Sequence, residues 1–478
     1  MNVMDDNVQS KDSMRTNHGM PLMRILVFTL IISVMNGTMF NVVLPVISRQ
    51  FQLSPSQVSW IVTGYLIVYA IGTVTFGKLT DKYSLKNLLT FGLLFLSAGS
   101  IVGLLATEYW MMIAARILQA VGASVIPALA MIIPIRYFAP EKRGRMLGTN
   151  VIGTSLGAAL GPIIAGFVST AWNWQVLFVI PLLSLFTLPL YRKYLDDEKG
   201  KDSTIDFIGG VLLAGTIAAL LLALTNGGKG YAVTGVVMLI LFMVRIRYAA
   251  DPFVKPAVFR NRPFTFGLAI YFVMAAIGFG TPFTTPQLLS QVNQLSPAVT
   301  GIIMLPSALV TAFMGRKGGK LADEKGNPFL LYTAASILIF GFLCLSSVVG
   351  MSPVFISVFL IFSVLGQSLM QIALTNTVSR TLPKEQIGIG MGLLSMFNFI
   401  AGAVSAAVFG KILDMGTTAI HLNPFPHNST AFVYSNIFLA LALLVAVMVL
   451  LFFLQFGRSA KIQSGGGLSE RRQQYKQQ

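Results

Sequence analysis

Residues 77–86 read GKLTDKYSLK, a short charged segment that begins with glycine and lies between two long apolar runs. A similar segment, GKLADEKGNP, lies about half a chain length further on, at residues 319–328. A second pair of loops recurs in the same order at nearly the same spacing, RYFAPEKRG at residues 136–144 and RTLPKEQIG at residues 380–388. Two loops that repeat in this way indicate that the chain consists of two homologous halves.

The composition is that of a membrane protein. The chain has 478 residues, of which 55% are hydrophobic and only 11% are charged, and its mean hydropathy is +0.74. The apolar residues fall in uninterrupted runs, and about 20 residues are enough for a helix to cross a bilayer. About fourteen such runs lie between residues 25 and 455. We therefore predict an all-α, polytopic fold that is embedded in the lipid bilayer.

Basic residues are distributed unevenly between the two sides of the membrane. If the N-terminus is cytoplasmic, 30 of the 34 Lys and Arg lie on the cytoplasmic side, whereas Arg49, Lys229 and Lys411 lie on the other side and Arg116 lies within a span. Cytoplasmic loops are enriched in Lys and Arg, so both termini are predicted to be cytoplasmic in a multi-pass protein of the cell membrane. The formal net charge of +17 is thus a topology signal, and we expect no nucleic-acid partner.

The repeated loops also show how the spans are grouped. The glycine–aspartate loop follows span two and then span ten, which predicts two six-helix bundles with two further helices inserted between them. The predicted segments are a cytoplasmic tail (1–24), the first bundle (25–191), a connector with the two extra helices (192–262), the second bundle (263–455) and a disordered tail (456–478). Duplicated halves are typical of secondary transporters, whose substrate site lies between the halves.

Three motifs occur in order along the first half, after span two, in span four and in span five. They are Gly77-x-Leu79-x-Asp81, Arg116-x-x-Gln119-x-x-Gly122 and Gly157-x-x-x-Gly161-Pro162-x-x-Ala165-Gly166. With the arrangement of spans, these motifs resemble the major facilitator superfamily, in particular its fourteen-helix drug/proton antiporter branch of tetracycline and multidrug exporters. The resemblance implies alternating access, drug efflux and antibiotic resistance.

The loop that contains Gly77 and Asp81 is implied by this resemblance to act as a cytoplasmic latch between the bundles. The latch must break when the cavity opens inward. Asp323 is its weaker copy in the second half, and Arg136 belongs to the other repeated loop, so we place all four among the gating and coupling residues. A carboxylate at this position could instead simply cap the helix that follows.

Arg116 is predicted to lie within a membrane span, where a charged side chain costs roughly 2.5 kcal/mol or more and by default marks a functional pathway. Gln119 and Gly122 lie three and six residues further on, so the three share one helix face. The family resemblance implies a role for Arg116 in proton transfer or in holding the substrate. The alternative is an arginine that extends along the helix to the membrane surface.

Span five carries glycines at every fourth position, which would let a neighbouring helix approach closely, and a proline that permits a bend. The set is Gly153, Gly157, Gly161, Pro162 and Gly166. The resemblance implies an antiporter-type motif that helps seal and tilt the bundles, and this motif is our main reason to prefer export over uptake. The alternative is ordinary packing between small residues.

Acidic side chains are absent from the predicted membrane interior. All 17 Asp and Glu can be placed in loops, in tails or at helix ends, with Asp206 nearest to the membrane and Asp414 next. Such a cavity lacks a counter-charge for a lipophilic cation, whereas Arg116 would suit an anionic or polar neutral compound. The candidate cavity residues, each of which could instead join helices by hydrogen bonds, are Asn36, Asn41, Tyr65, Tyr69, Gln119, Gln287, Gln367, Gln371, Asn376 and Asn398.

Other chemistry is not indicated by the sequence. The chain has no phosphate-binding loop motif and no clustered metal ligands, so we expect no cofactor, no metal site and no enzymatic activity. Since a proton antiporter needs a group that titrates, Asp81 and Asp206 are the remaining candidates for coupling. The prediction is a monomeric secondary active transporter that exports a small amphipathic compound or drug in exchange for protons. The alternatives are export of an endogenous anionic or neutral metabolite, an uptake symporter, and a membrane receptor that does not transport.

Overall fold

The computed structural model of the chain describes residues 2–197, 206–383, 386–416, 420, 422–426 and 429–457, but not the side chains of residues 2–17, 140, 315–316, 323 and 456–457. Every regular element in the described residues is helical. Fourteen of the helical segments are long and apolar enough to cross a membrane. The predicted all-α, polytopic fold with about fourteen spans is therefore confirmed. The predicted disordered tail lies almost wholly outside the described residues.

Nine α-helices form the first six spans. They are α1 (Asn2–Thr38), α2 (Phe40–Gln50), α3 (Pro55–Leu79), α4 (Leu85–Leu104), α5 (Tyr109–Ala123), α6 (Val125–Tyr137), α7 (Pro140–Ala171), α8 (Val179–Leu182) and α9 (Leu188–Tyr194). Helix α1 extends back through the predicted N-terminal tail. Span four changes from α5 to α6 at Ser124 because Pro127 has no N–H for the carbonyl four residues earlier, and its ring crowds that carbonyl.

Single helices form the remaining eight spans. They are α10 (Phe207–Asn226), α11 (Lys229–Tyr248), α12 (Arg262–Gln291), α13 (Pro297–Lys325), α14 (Asn327–Val348), α15 (Pro353–Ser379), α16 (Ile387–Asp414) and α17 (Ser429–Phe452). Polar residues fix where several helices begin: Ser54, Ser84, Asn261 and Ser296 each accept a backbone N–H from the first turn of the following helix. Such caps satisfy amide groups that the helix itself cannot.

The helix ends define two faces of the protein. We call the end that carries the loops at residues 80–84, 138–139, 249–261 and 380–383 the basic face. The opposite face carries the loops at residues 51–54, 105–108, 172–173, 292–296 and 349–352. The charge distribution predicts that the basic face is cytoplasmic.

The twelve outer spans form two bundles that meet along two helix pairs. Helices α4 and α5 pack together in the first bundle, as do α1 and α7, while α14 packs on α15 and α17 in the second. Between the bundles, α3 packs along α16 and α7 packs along α13. This arrangement places α3, α7, α13 and α16 at the seam.

At the opposite face, polar contacts join the bundles across both helix pairs and between α2 and α12. The carboxylate of Asp414 in α16 accepts hydrogen bonds from Ser54 Oγ at 3.3 Å and from the backbone N–H of Ser56 at 3.2 Å. Arg49 Nη2 donates to Ser290 Oγ at 3.1 Å. On the α7–α13 side, the N–H of Ala298 donates to Thr170 Oγ1 at 3.2 Å, and Gly166 lies directly against the backbone of Pro297.

Near the basic face, glycines of the same four helices have open surroundings. At several glycines near this face, a Cβ atom would have no neighbour within 4 Å apart from the backbone of its own helix. They are Gly77 in α3, Gly144 and Gly148 in α7, Gly319 in α13, and Gly388 and Gly392 in α16. The bundles are therefore in contact at the opposite face, whereas near the basic face the surroundings of these glycines are open.

Helices α10 and α11 form a hairpin, which we call the inserted hairpin, beside the α3–α16 seam. Trp60 Nε1 of α3 donates to Thr225 Oγ1 of α10 at 3.2 Å. Lys411 Nζ of α16 donates to the carbonyl of the same Thr225 at 3.0 Å. One residue near the opposite face thus joins the hairpin to both bundles.

Candidate functional site

Arg116 is buried in the first bundle, where α5 places it against α1, α2 and α3. Only 1% of the residue is exposed. Its Cζ lies 4.3 Å from the ring centroid of Phe40 and 4.0 Å from that of Tyr65. A guanidinium between two aromatic faces is held by cation–π attraction, which is strongest away from water.

Hydrogen bonds fix the guanidinium on one edge. Arg116 Nη1 donates to Gln119 Oε1 at 2.8 Å and to Asn36 Oδ1 at 3.2 Å, while its Nε donates to the carbonyl of Ile61 at 3.4 Å. Gln119 in turn donates from Nε2 to Ser100 Oγ at 2.8 Å. These partners lie inside the bundle, so Arg116 does not extend to the membrane surface. The predicted proximity of Arg116 and Gln119 on one face is observed.

Two polar atoms of this cluster are buried without a hydrogen-bond partner among the described residues, Arg116 Nη2 and Asn36 Nδ2. Both are donors, and a buried donor that lacks an acceptor costs about 1–3 kcal/mol. None of the ion pairs between described residues involves Arg116. The cluster can therefore bind acceptor atoms such as carbonyl, hydroxyl or carboxylate oxygens.

A second polar cluster lies in the second bundle. Gln371 Nε2 donates to Asn398 Oδ1 at 2.7 Å and to Tyr271 OH at 3.3 Å. One helical turn away, Gln367 Nε2 donates to the carbonyl of Met274 at 2.7 Å, and Gln367 Oε1 is buried without a partner in the described part of the chain. Gln371 and Asn398 are half-buried, so this cluster is less enclosed than the one around Arg116.

Aromatic rings connect the two bundles between these clusters. Tyr65, which stacks on Arg116, lies 5.6 Å from the ring of Tyr69 in a stacked arrangement. Tyr69 meets Phe399 of α16 edge to face at 4.6 Å, and Phe399 follows Asn398 in the chain. The site thus has polar groups in each bundle and aromatic surface between them, an arrangement that suits an amphipathic molecule.

Three of the predicted cavity residues do not join either cluster. Gln287 is fully buried in α12 with its Nε2 unpaired among the described residues. Asn41 lies in α2 with its Oδ1 unpaired in the same sense. Asn376 is half-buried in α15.

The charged loop at residues 77–86 lies at the basic face, where Asp81 and Tyr83 are exposed. The helix cap predicted as the alternative for Asp81 is wrong: Ser84 caps α4 instead, and the N–H of Asp81 bonds back to the carbonyl of Lys78. Asp81 is exposed and forms no ion pair with the described side chains. Lys78 Nζ, in contrast, binds Asp251 Oδ2 at 3.3 Å and the carbonyl of Pro252 at 3.1 Å.

Two other gating candidates can be located only in part. Arg136 is half-buried in the last turn of α6. Asp323 lies in α13, but its side chain is outside the described part of the structure. The partner of Lys78, Asp251, was not anticipated, because it is 173 positions away in the chain and no local pattern points to it.

Asp206 is enclosed by the inserted hairpin and by the segment that follows it. It caps α10 through the N–H of Gly209 at 3.0 Å, and it also accepts from Arg245 Nε at 2.9 Å and from the N–H of Phe253 at 3.2 Å. Burial alone would raise the pKa of Asp206, but these hydrogen bonds and the charge of Arg245 together lower that pKa below its usual value. The geometry favours an ionised residue with a structural role.

The glycines of span five face two different neighbours. Gly153, Gly157 and Gly161 pack against α1 of the same bundle, where a Cβ on Gly157 would come within 2.6 Å of the carbonyl oxygen of Ile31. Near the opposite face, Pro162 and Gly166 pack against α13 of the second bundle. One helix therefore holds its own bundle together along most of its length and closes the seam at one end.

No group of three or more His, Cys, Asp or Glu side chains that could hold a metal ion occurs in the described residues.

Comparison of the sequence with known proteins identifies the family to which the chain belongs. The model of the family described as "Major Facilitator Superfamily" matches residues 26–406. Riboflavin transporter RibZ of Clostridioides difficile (strain 630) is 26% identical over 426 residues, which cover 86% of this chain and 91% of that protein. Lincomycin resistance protein LmrB of Bacillus subtilis (strain 168) is 25% identical over 414 residues, with coverage of 83% and 86%.

Solved structures share the fold. A bacterial homologue of the human lysosomal transporter Spinster, in an inward-facing and unoccupied conformation, has a TM-score of 0.64 at 14% identity and covers 92% of this chain and 97% of its own. The human organic anion transporter MFSD10 has a TM-score of 0.60 at 14% identity, with coverage of 91% and 99%.

Proposed function

The chain belongs to the major facilitator superfamily of transporters, and we propose that it exports a small amphipathic organic compound across the cell membrane in exchange for protons. The proposed mechanism is alternating access, in which the two bundles expose one central site to each side of the membrane in turn. We also propose that both termini are cytoplasmic and that the monomer is the functional unit.

One observation carries the proposed substrate class, namely the unpaired donor atoms around Arg116. A ligand with a carbonyl, hydroxyl or carboxylate group would satisfy Arg116 Nη2 and Asn36 Nδ2, and the rings of Tyr65 and Tyr69 would cover its apolar part. No Asp or Glu lies in the interior of any of the fourteen spans. A neutral or anionic compound is therefore preferred over a lipophilic cation, because burying an unpaired cation in such a site is costly.

The names of two relatives agree with a small organic compound as the substrate. One is named for riboflavin transport and another for lincomycin resistance. The similarity to a riboflavin transporter also favours a second candidate function, the uptake of a flavin-like nutrient.

Alternating access is supported by the conformation at the basic face. If that face is cytoplasmic, as the charge distribution predicts, the open surroundings there would give an exported compound access from the cell interior. Asp81 lies at this face without an ion-pair partner among the described side chains, which agrees with a latch that has been released. Asp81 is then the candidate whose interactions change between the two states, whereas Asp206 is held within its own network.

Transport in vesicles tests the proposal. The protein is reconstituted with the basic face outward, and uptake of riboflavin and of lincomycin is measured with an acidic lumen. Export in exchange for protons predicts accumulation that a protonophore abolishes. Accumulation that persists in the presence of the protonophore contradicts proton coupling. Accumulation only when the outside is acidic and the lumen is not identifies a proton symporter, that is, an uptake carrier.

Substitutions test whether transport depends on the cluster around Arg116. Arg116→Ala is expected to abolish both binding and transport, while Arg247→Ala, an exposed arginine on α11, serves as the control with a matched loss of charge. Ligand binding without counterflow in the wild-type protein would instead indicate a receptor. Transport by Arg116→Ala at the wild-type rate would contradict the assigned site.

A further inference from the structure

A lateral cavity lies where the inserted hairpin meets the first bundle. It has a volume of about 550 Å³ and lies between α3, α4, the α5–α6 junction and α10. This volume falls within the range of about 300–1,000 Å³ that is usual for small-ligand sites. Its lining includes Val211 and Phe91, which are 66% and 44% exposed, so the cavity opens sideways towards the bilayer. It contains no residue of either polar cluster described above.

The depth of the cavity matches one leaflet of a membrane. Its lining on α3 extends from Val68 to Leu79, which corresponds to about 16 Å at 1.5 Å per residue. Half of a hydrocarbon layer about 30 Å thick is about 15 Å. The shallow end is formed by Tyr83 and Asn87 beside the loop of the basic face, so the cavity extends from the membrane surface to about its middle.

The polarity of the lining changes along this depth. In the cavity wall, Thr75 Oγ1 donates to the carbonyl of Ile71 at 2.9 Å and Ser124 Oγ donates to that of Val121 at 2.8 Å, so neither hydroxyl proton is available to a ligand. The other lining groups below the mouth are apolar or glycine. At the shallow end, the side chains of Tyr83 and Asn87 have no hydrogen-bond partner within the described residues. The cavity therefore has an apolar interior and a polar mouth.

Positive charge surrounds this mouth. Lys82 Nζ lies 5.9 Å from the ring centroid of Tyr83, and Lys86 precedes Asn87 in the first turn of α4. Neither lysine is in an ion pair among the described residues. Asp81 is the one acidic side chain of residues 77–86. The mouth therefore has a positive surplus, which suits a phosphate group.

We propose that this cavity binds an anionic phospholipid. One acyl chain fills the apolar interior between α4 and α10, and the phosphate lies at the mouth against Lys82 and Lys86. This site is separate from the transported compound and from the proposed function. The bound lipid would join the inserted hairpin to the loop that contains Asp81, since both form the walls of the cavity.

Native mass spectrometry of the full-length protein, purified in a mild detergent with phosphatidylglycerol or phosphatidylcholine, tests the proposal. The wild-type protein is expected to retain one phosphatidylglycerol more than Ala214→Trp, in which the indole fills the cavity. Val237→Trp, at a position on α11 that is 48% exposed, is the control and should match the wild type. Ala214→Leu provides a milder filling variant, with folding of each protein checked by size-exclusion chromatography.

The headgroup is tested with Lys82→Gln/Lys86→Gln. Since each lysine near an anionic surface contributes about 1 kcal/mol, or roughly fivefold in affinity, the preference for phosphatidylglycerol over phosphatidylcholine should fall at least fivefold. The control Lys142→Gln/Lys193→Gln should retain that preference. Equal lipid retention by the wild type and both filling variants would overturn the proposal, as would equal retention of the two lipids by the wild type. Displacement of the lipid by a transported compound would also overturn it, because the cavity would then belong to that compound.

Discussion

Asp414→Ala should release the seal between the bundles at the opposite face. The Asp414 carboxylate in α16 accepts hydrogen bonds from Ser54 Oγ at 3.3 Å and from the N–H of Ser56 at 3.2 Å. Both donors lie at the start of α3 in the other bundle. The two bonds exist only while the bundles are together at this face. Their loss therefore destabilises the state that is closed at the opposite face relative to a state that is open there.

The magnitude follows from these contacts. A hydrogen bond to a charged group contributes about 1.5–3 kcal/mol, but Asp414 is half-exposed and such contacts are weakened by solvent. We therefore expect a loss of about 2 kcal/mol for both bonds together. A change of about 2 kcal/mol raises the relative population of the state that is open at the opposite face by roughly 30-fold.

Electron–electron distance measurements can detect this shift. Spin labels are placed at Thr107→Cys and Ser352→Cys, on exposed loops of the two bundles at the opposite face, after replacement of the single native Cys344 by Ser. The variant Asp414→Ala should add a population with a longer distance. Asp251→Ala, which removes an acid whose ion pairs lie at the basic face, should not. If the distance distributions with and without the Asp414 carboxylate coincide, the reasoning about the seal is wrong.

Three further predictions concern other parts of the molecule. Asp81→Asn should lower the transport rate more than the binding affinity, as measured by vesicle flux and equilibrium binding, because the side chain lies at the seam and outside both polar clusters. Asp206→Asn should lower the free energy of unfolding in detergent by about 1–2 kcal/mol at pH 7. The substitution weakens the N-terminal cap of α10 and the half-exposed ion pair with Arg245. Because the pKa of Asp206 is lowered from 3.8, this contribution is present above that pH and lost as the pH falls below it. Gly157→Ala should destabilise the protein by about 1–3 kcal/mol, because its Cβ would crowd the Ile31 carbonyl.

Each of these predictions has an outcome that would contradict it. Equal losses of binding and transport in Asp81→Asn would place that residue in the substrate site. A thermal stability of Asp206→Asn equal to that of the wild type at pH 7 would show that its network is dispensable. For the glycine, Gly148→Ala is the matched control: it lies in the same helix with open surroundings, so it should be neutral or slightly stabilising. Equal unfolding temperatures of the two glycine variants would remove the packing argument.

The sequence was sufficient for the fold but only partly sufficient for the site. Run length predicts the fourteen spans because the bilayer imposes a minimum length on each helix. The contact between Arg116 and Gln119 follows from helical periodicity. The rings of Phe40 and Tyr65 around Arg116 could not be predicted, since they come from helices whose relative rotation depends on packing of the whole bundle.

Loop contacts were the least predictable part. The cap of α4 was expected as an alternative role for Asp81, but Ser84 takes it, because the last turn of α3 continues through residues 80–83. The ion pairs of Lys78 with Asp251 and of Asp206 with Arg245 depend on where the inserted hairpin lies. No periodicity in the sequence encodes that position.

Thr225 links the inserted hairpin to both bundles, and this link constrains how the bundles can move. Its hydroxyl accepts from Trp60 in one bundle while its carbonyl accepts from Lys411 in the other. Because these two hydrogen bonds link Thr225 to both bundles, Thr225 cannot keep both of them when the bundles move apart. If the bundles separate at this face during transport, at least one of these hydrogen bonds must break, and the inserted hairpin then adds to the energy that the separation requires.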